Sequence, residues 1–215
     1  FIRETLPGKT AIAEGRVELG ANERAEEGGL LAALLKRPML LAFSLVLMAY
    51  SFVYIQSIFS LPIQMEERFG FDGPKIFGAL MSVNALTVVT LTTLVIRLTS
   101  RFTAAQNIGI GGLLYAVGFG MIYLIHGMYL FVVSVVIWTL GEIMVSTNSQ
   151  VYVVNNTPVT HRGRFNAVIP IIAGAGSALG PWIMGNFIDR LGVRMVWPLS
   201  FFLMLGASSL MFGLW

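Results

Sequence analysis

The sequence predicts an all-α integral membrane protein, a bundle of six transmembrane helices. Three observations carry this. Of 215 residues, 56% are hydrophobic and only 12% are charged, where soluble domains average about 25% charged; mean hydropathy is +0.77. Six apolar runs follow one another, each near the roughly twenty residues that a ~30 Å hydrocarbon core demands. The acids avoid those runs: of eleven, six precede Leu30, four (Glu66, Glu67, Asp72 and Asp189) sit at run ends, and only Glu142 lies inside. There is no cysteine, so disulfides and thiolate metal sites do not arise. A net charge of +3 is ordinary for a membrane protein with basic loops.

Residues 1–35 are polar and dotted with glycine, too poor in apolar side chains to form a core. Leu30-Leu31-Ala32-Ala33-Leu34-Leu35-Lys36-Arg37-Pro38 closes this stretch as a short apolar helix with basic residues at its end, expected to lie in the membrane interface. Residues 1–38 are therefore read as a surface linker with an interfacial helix, and residues 39–215 as the bundle. The sequence begins at Phe1 with neither methionine nor a cleavable leader, and is expected to be a piece of a longer chain.

The six spans are placed at about 39–63, 77–96, 106–125, 128–154, 165–188 and 195–215. Short turns make neighbours antiparallel. One side of the membrane collects ten Lys and Arg, among them Lys36, Arg37, Arg97, Arg101, Arg162 and Arg164. The other has four: Arg68, Lys75, Arg190 and Arg194. The excess predicts both ends of the chain on the cytoplasmic side of a cell inner membrane.

Polar side chains are uneven across the spans. The first carries Tyr50, Tyr54 and Ser57 at helical spacing on one face. Asn84 and Thr87 share a face of the second, and Trp138, Glu142, Ser146 and Ser149 form a stripe on the fourth. The third carries Gly112-x3-Ala116-x3-Gly120, a small-residue ridge for close helix packing. Spans one, two, four and five are thus expected to line a cavity, with three and six as outer supports.

The stretch Val135–Arg194 concentrates the chemistry: two apolar runs around the basic turn Thr160-His161-Arg162-Gly163-Arg164. Glu142 lies deep in the first run, and an acid at that depth marks a functional site by default. It is read as a proton carrier or a partner for a cationic substrate group. The alternative is a structural carboxyl bonded to a neighbouring helix. Pro170, Gly174, Gly176, Gly180, Pro181 and Gly185 interrupt the second run, as a bending gate or, preferably, as close packing. Asp189 with Arg190 and Arg194 would lock two helix ends, though exposed pairs contribute little. Tyr50, Tyr54 and Trp138 stack on a substrate or fill the core; both readings stand. His126 and His161 fall in turns and are read as solvated, and the eleven methionines as packing.

These residues resemble the C-terminal six-helix half of the major facilitator superfamily. Arg3-Glu4-Thr5-Leu6-Pro7 looks like the start of that family's cytoplasmic central linker. Gly176-x3-Gly180-Pro181-x3-Gly185 is similar to its glycine-proline signature, and Gly185-x3-Asp189-Arg190-x-Gly192-x-Arg194 to a turn motif after it. Gly141-Glu142, Thr157-Pro158 and Arg162-Gly163-Arg164 look like its tenth helix and following loop. The turn Ile96–Thr103 departs from the pattern: Arg101 is kept, but Ile96, Ser100 and Thr103 stand where Gly, Asp and Gly are expected. The resemblance implies a secondary transporter in which two six-helix bundles rock around a central site. This chain would supply one, and the other is expected upstream in the same protein.

The function expected on that basis is proton-coupled efflux of drugs or amphiphiles, with a small molecule, protons and the lipid bilayer as partners. Glu142, Tyr50, Tyr54, Asn84, Trp138 and Ser146 are the candidate coupling or binding residues. Arg101, Gly176, Gly180, Pro181, Gly185, Asp189 and Arg190 are the gating or structural ones. A proton-coupled peptide or nutrient importer is the alternative, since peptide transporters also show a Gly-Glu in the tenth helix. A six-span membrane enzyme would need Ser with His, or paired Asp, at membrane depth, and the sequence offers neither. No charge ring or carbonyl filter suggests a channel, and no phosphate-binding glycine loop suggests ATP-driven transport. Neither a cofactor nor a nucleic-acid partner is expected.

Overall fold

The computed structural model describes residues 37–157 and 162–214, with the backbone alone at positions 162 and 164. The expected linker, the interfacial helix and His161 lie outside the described residues. Within them the chain is all-helical, in seven α-helices. These are α1 (Pro38–Tyr54), α2 (Gln56–Phe69), α3 (Gly73–Thr99), α4 (Ala104–Met121), α5 (Met128–Asn156), α6 (Arg162–Leu191) and α7 (Val196–Gly213). Single 3₁₀ turns, Gly70–Asp72 and Val193–Met195, precede α3 and α7.

Among the described residues, four stretches could cross a membrane by length and composition: Pro38–Thr99, Met128–Asn156, Phe165–Leu191 and Val193–Gly213. The first is not one rod. Gly70 at φ 55° takes a conformation that costs glycine little, and α3 then packs back along α2. A Cβ on Gly73 would lie 2.7 Å from the Cα of Glu66, so the turn closes on bare backbone. The eighteen-residue α4 is not among the four. It is the most enclosed helix, packed between α5 and α7.

The small residues of α4 make that enclosure possible. A Cβ on Gly112 would fall on the hydroxyls of Tyr50 and Ser208, and one on Gly120 would meet the Phe201 ring at 2.7 Å. The expected ridge therefore faces α1 and α7. A second set was not anticipated: Gly111 and Gly118 face α5, where a Cβ on Gly118 would lie 2.7 Å from the Cβ of Trp138. Where backbones approach this closely, dispersion replaces the hydrophobic drive that lipid does not supply.

The first span was expected as one helix over 39–63; it breaks at Ile55 and runs on to Phe69. Pro62 has no N–H for the carbonyl of Ile58, one turn beyond the break. Side chains serve carbonyls on the near side: Gln56 Nε2 donates to Phe52 at 2.8 Å and Ser57 Oγ to Tyr54 at 2.7 Å. Two further ties hold the bundle ends. Trp197 Nε1 donates to Gln64 Oε1 at 3.0 Å, both side chains buried, and Arg194 donates from Nε and Nη2 to the Tyr123 carbonyl.

Candidate functional site

Glu142 lies fourteen residues from both Met128 and Asn156, the ends of α5. At ~1.5 Å per residue this is about 21 Å of helix on either side. The side chain is half-buried on the wall of a cavity of about 300 Å³. Leu47, Tyr50, Ser51 and Tyr54 of α1 form one side of this cavity, Val145, Ser146 and Ser149 of α5 another. Ala173 and Ser177 of α6 and Tyr115 of α4 complete it.

Both carboxylate oxygens have donors from other helices. Tyr54 Oη donates to Oε1 at 2.9 Å, and Asn84 Nδ2 to Oε2 at 2.9 Å. Asn84 also donates to Thr139 Oγ1 at 2.9 Å. The acid thus joins α1, α3 and α5 through neutral donors. No cationic side chain lines the cavity among the described residues.

The hydroxyls that share the helical stripe of Glu142 do not supply its donors. Ser146 and Ser149 turn back on their own helix, donating to the carbonyls of Ile143 and Val145, as hydroxyls in membrane helices commonly do. Trp138 is 1% exposed and stacks on Phe119, with ring centroids 5.3 Å apart. Its ring packs in the core with Nε1 unpartnered among the described residues, and it meets Tyr54 edge-on at 6.0 Å. Tyr50 borders the cavity, but its hydroxyl is spent on Ser208 Oγ at 3.1 Å and the Ile108 carbonyl at 3.2 Å.

The expected liners need revision as well. Spans one, four and five contribute, and so does the third through Tyr115, which the sequence reading had placed in an outer support. From the second span Asn84 reaches the acid without lining the cavity.

At the glycine-proline signature, Gly176 and Gly180 lie directly on α1. A Cβ on Gly176 would fall on the Met48 carbonyl oxygen, and one on Gly180 on Ile55 Cγ2. Gly185 is looser, with Phe59 3.9 Å away. α6 continues unbroken through Pro170 and Pro181, which favours close packing over a bend. Asp189 and Arg190 are exposed, and no ion pair joins them among the described residues. Arg194, the third member of that set, instead donates to the Tyr123 carbonyl, and its guanidinium lies 4.6 Å from the Tyr123 ring centroid. Arg101 sits over Phe102 at 5.0 Å. Beside it Thr103, in a position where glycine was expected, caps α4: its Oγ1 accepts from Gln106 N–H, and Gln106 Oε1 accepts from Thr103 N–H. The spacing Thr-x-x-Gln was the readable signal.

A second cavity of about 290 Å³ shares Leu47, Ser51, Ser149 and Ala173 with the first and continues toward Gln150 and Asn166. Those two amides bridge α5 and α6 at 3.1 Å.

The family model of the Major Facilitator Superfamily matches residues 3–181. An uncharacterized MFS-type transporter, YqjV of Bacillus subtilis (strain 168), is 23% identical over 140 residues, which is 65% of this chain. The match spans 33% of that relative's length.

Proposed function

Since this chain belongs to the Major Facilitator Superfamily, a family of secondary transporters, we propose that it forms the C-terminal six-helix half of a permease working by alternating access. In this reading Pro38–Phe69 is one bent crossing, and α3, α4, α5, α6 and α7 are the other five. Residues 1–38 are the cytoplasmic linker to an upstream bundle. The Lys and Arg distribution orients both ends of the chain toward the cytoplasm of an inner membrane.

Transport is coupled to protons at Glu142. One observation carries this: an acid at the midpoint of a 29-residue membrane helix lines a cavity and is held by neutral donors alone. An ion pair would oppose proton uptake, because protonation would strand a buried cation. Nothing of that kind opposes it here. The walls add three phenol rings and aliphatic side chains to a single carboxyl, a lining suited to drugs and other amphiphiles, and the direction proposed is efflux.

The test is Glu142→Gln in the complete transporter, reconstituted in vesicles. It is expected to insert and fold, to lose transport driven by a pH gradient, and to keep substrate exchange. Unchanged dependence on the gradient would place coupling elsewhere and make Glu142 structural.

A further inference from the structure

The two donors to Glu142 are not equivalent. Asn84 Nδ2 has two hydrogens and gives them to Glu142 Oε2 and Thr139 Oγ1. Thr139 has one hydroxyl hydrogen, committed to the Val135 carbonyl at 2.6 Å, so toward Asn84 it can only accept. That sets the polarity of the amide: Oε2 always faces an N–H. Tyr54 is not constrained in this way. Its phenol has one hydrogen and free lone pairs, it stands on the cavity wall, and turning one C–O bond converts it from donor to acceptor.

Building on the reading of Glu142 as the coupling acid, we propose that Oε1 is the oxygen that takes the proton. Tyr54 is the positioning residue that reverses to receive it, and Asn84 the one that holds Oε2 as a carbonyl. A hydronium ion in the cavity gives its proton to Oε1 and leaves as water. The new O–H donates to Tyr54 Oη, and the phenolic hydrogen swings toward the cavity. The carbonyl at Oε2 keeps its N–H donor throughout. Protonation at Oε2 would require Asn84 to flip and Thr139, fully buried, to abandon Val135. One reversal at the cavity wall is easier than two coupled ones, one of them at a fully buried hydroxyl.

The polar groups that share the cavity with the carboxyl are Tyr50, Ser51 and Tyr54 from α1, Tyr115 from α4, Ser146 and Ser149 on α5 and Ser177 on α6, and Asn84 reaches it from α3. Among the described cavity residues Glu142 is the single acid, with no Lys, Arg or His. The same accounting describes Glu142→Gln as a protonated mimic: its amide oxygen meets Asn84 and its NH₂ meets Tyr54.

Infrared difference spectra across a pH step, on the complete transporter in lipid vesicles, test the assignment. Glu142→Gln identifies the protonated carboxyl band by abolishing it. If the band persists in that variant, the proton sits elsewhere and it is the underlying reading that fails. With the band assigned, Asn84→Leu should move the C=O stretch to higher frequency, because the carbonyl loses its donor. Tyr54→Phe should move it less, while changing the pH midpoint at which the band appears. Equal or reversed displacements, or an unmoved midpoint in Tyr54→Phe, overturn the proposal. If Asn84→Leu fails to fold, Asn84→Ser is judged by the same comparison.

Discussion

The Tyr54 hydroxyl donates to Glu142 across 2.9 Å, tying the last residue of α1 to the midpoint of α5. With Asn84 on the other oxygen, one carboxyl closes the space between three helices. Removing it should therefore cost stability as well as function. Glu142→Ala leaves two half-buried donors without their acceptor, about 1–3 kcal/mol for each group left unmet. Glu142→Gln keeps one acceptor and one donor in place. The alanine variant should therefore melt below the glutamine variant in detergent; equal melting would show that the carboxyl holds nothing together.

Gly176 and Gly174 differ by two positions on α6 and should differ in tolerance. A methyl at 176 collides with the Met48 carbonyl oxygen, whereas nothing lies within 4 Å of one at 174. Gly176→Ala is expected to lose about 1–3 kcal/mol by forcing α1 and α6 apart. Gly174→Ala should be neutral, or stabilising by up to about 1 kcal/mol through reduced chain entropy. Thermal unfolding of the two variants decides between close packing and a flexible gate as the use of this signature.

Trp197→Phe removes the only hydrogen bond given to Gln64 Oε1 by a side chain among the described residues. Gln64 is 6% exposed, so its amide oxygen would lose that donor, at about 1–3 kcal/mol. Replacing both together with Trp197→Phe and Gln64→Leu should recover part of that loss. A double variant no better than the single one would argue that packing, rather than the bond, matters here.

Thr103 caps α4 through reciprocal bonds with Gln106. Thr103→Ala should cost about 0.5–2 kcal/mol, and Thr103→Gly only a few tenths. The second substitution also restores the glycine that the family turn motif leads one to expect. A melting temperature lower for glycine than for alanine would contradict the capping role.

At the other end of the bundle Arg194→Gln should lower thermal stability, because a charged fork on the Tyr123 carbonyl and ring is lost. Asp189→Asn should leave it within about 0.5 kcal/mol, as expected for an exposed side chain away from such features. Comparable losses in both would restore an ion-pair lock.

The all-helical, apolar character of the described residues was legible from the amino acids because lipid imposes a nearly one-dimensional rule: apolar residues inside, charges at the ends. The helices begin and end within a few residues of the expected places, apart from the lengthened first span. The isolation of Glu142 was legible for the same reason, since one acid in a long apolar run is visible without coordinates. The small residues of α4 and α6 announced close packing.

Which partners those residues meet was not legible. Ser146 and Ser149 share the helical stripe of Glu142, yet their hydroxyls bond their own backbone. The donors to the acid come from Tyr54, 88 positions away, and Asn84, 58 positions away. Periodicity places side chains on a face of one helix, but hydrogen bonds depend on the rotation and approach of the next. The break at Ile55 was hidden likewise, in a Tyr-Ile-Gln stretch without glycine or proline, under the close contact from Gly180. The amino acids by themselves determined what the membrane dictates residue by residue: an all-helical chain with a lone acid at depth. Only the tertiary structure decided which neutral groups hold that acid, because they reach it from two other helices whose rotation against α5 no single segment encodes.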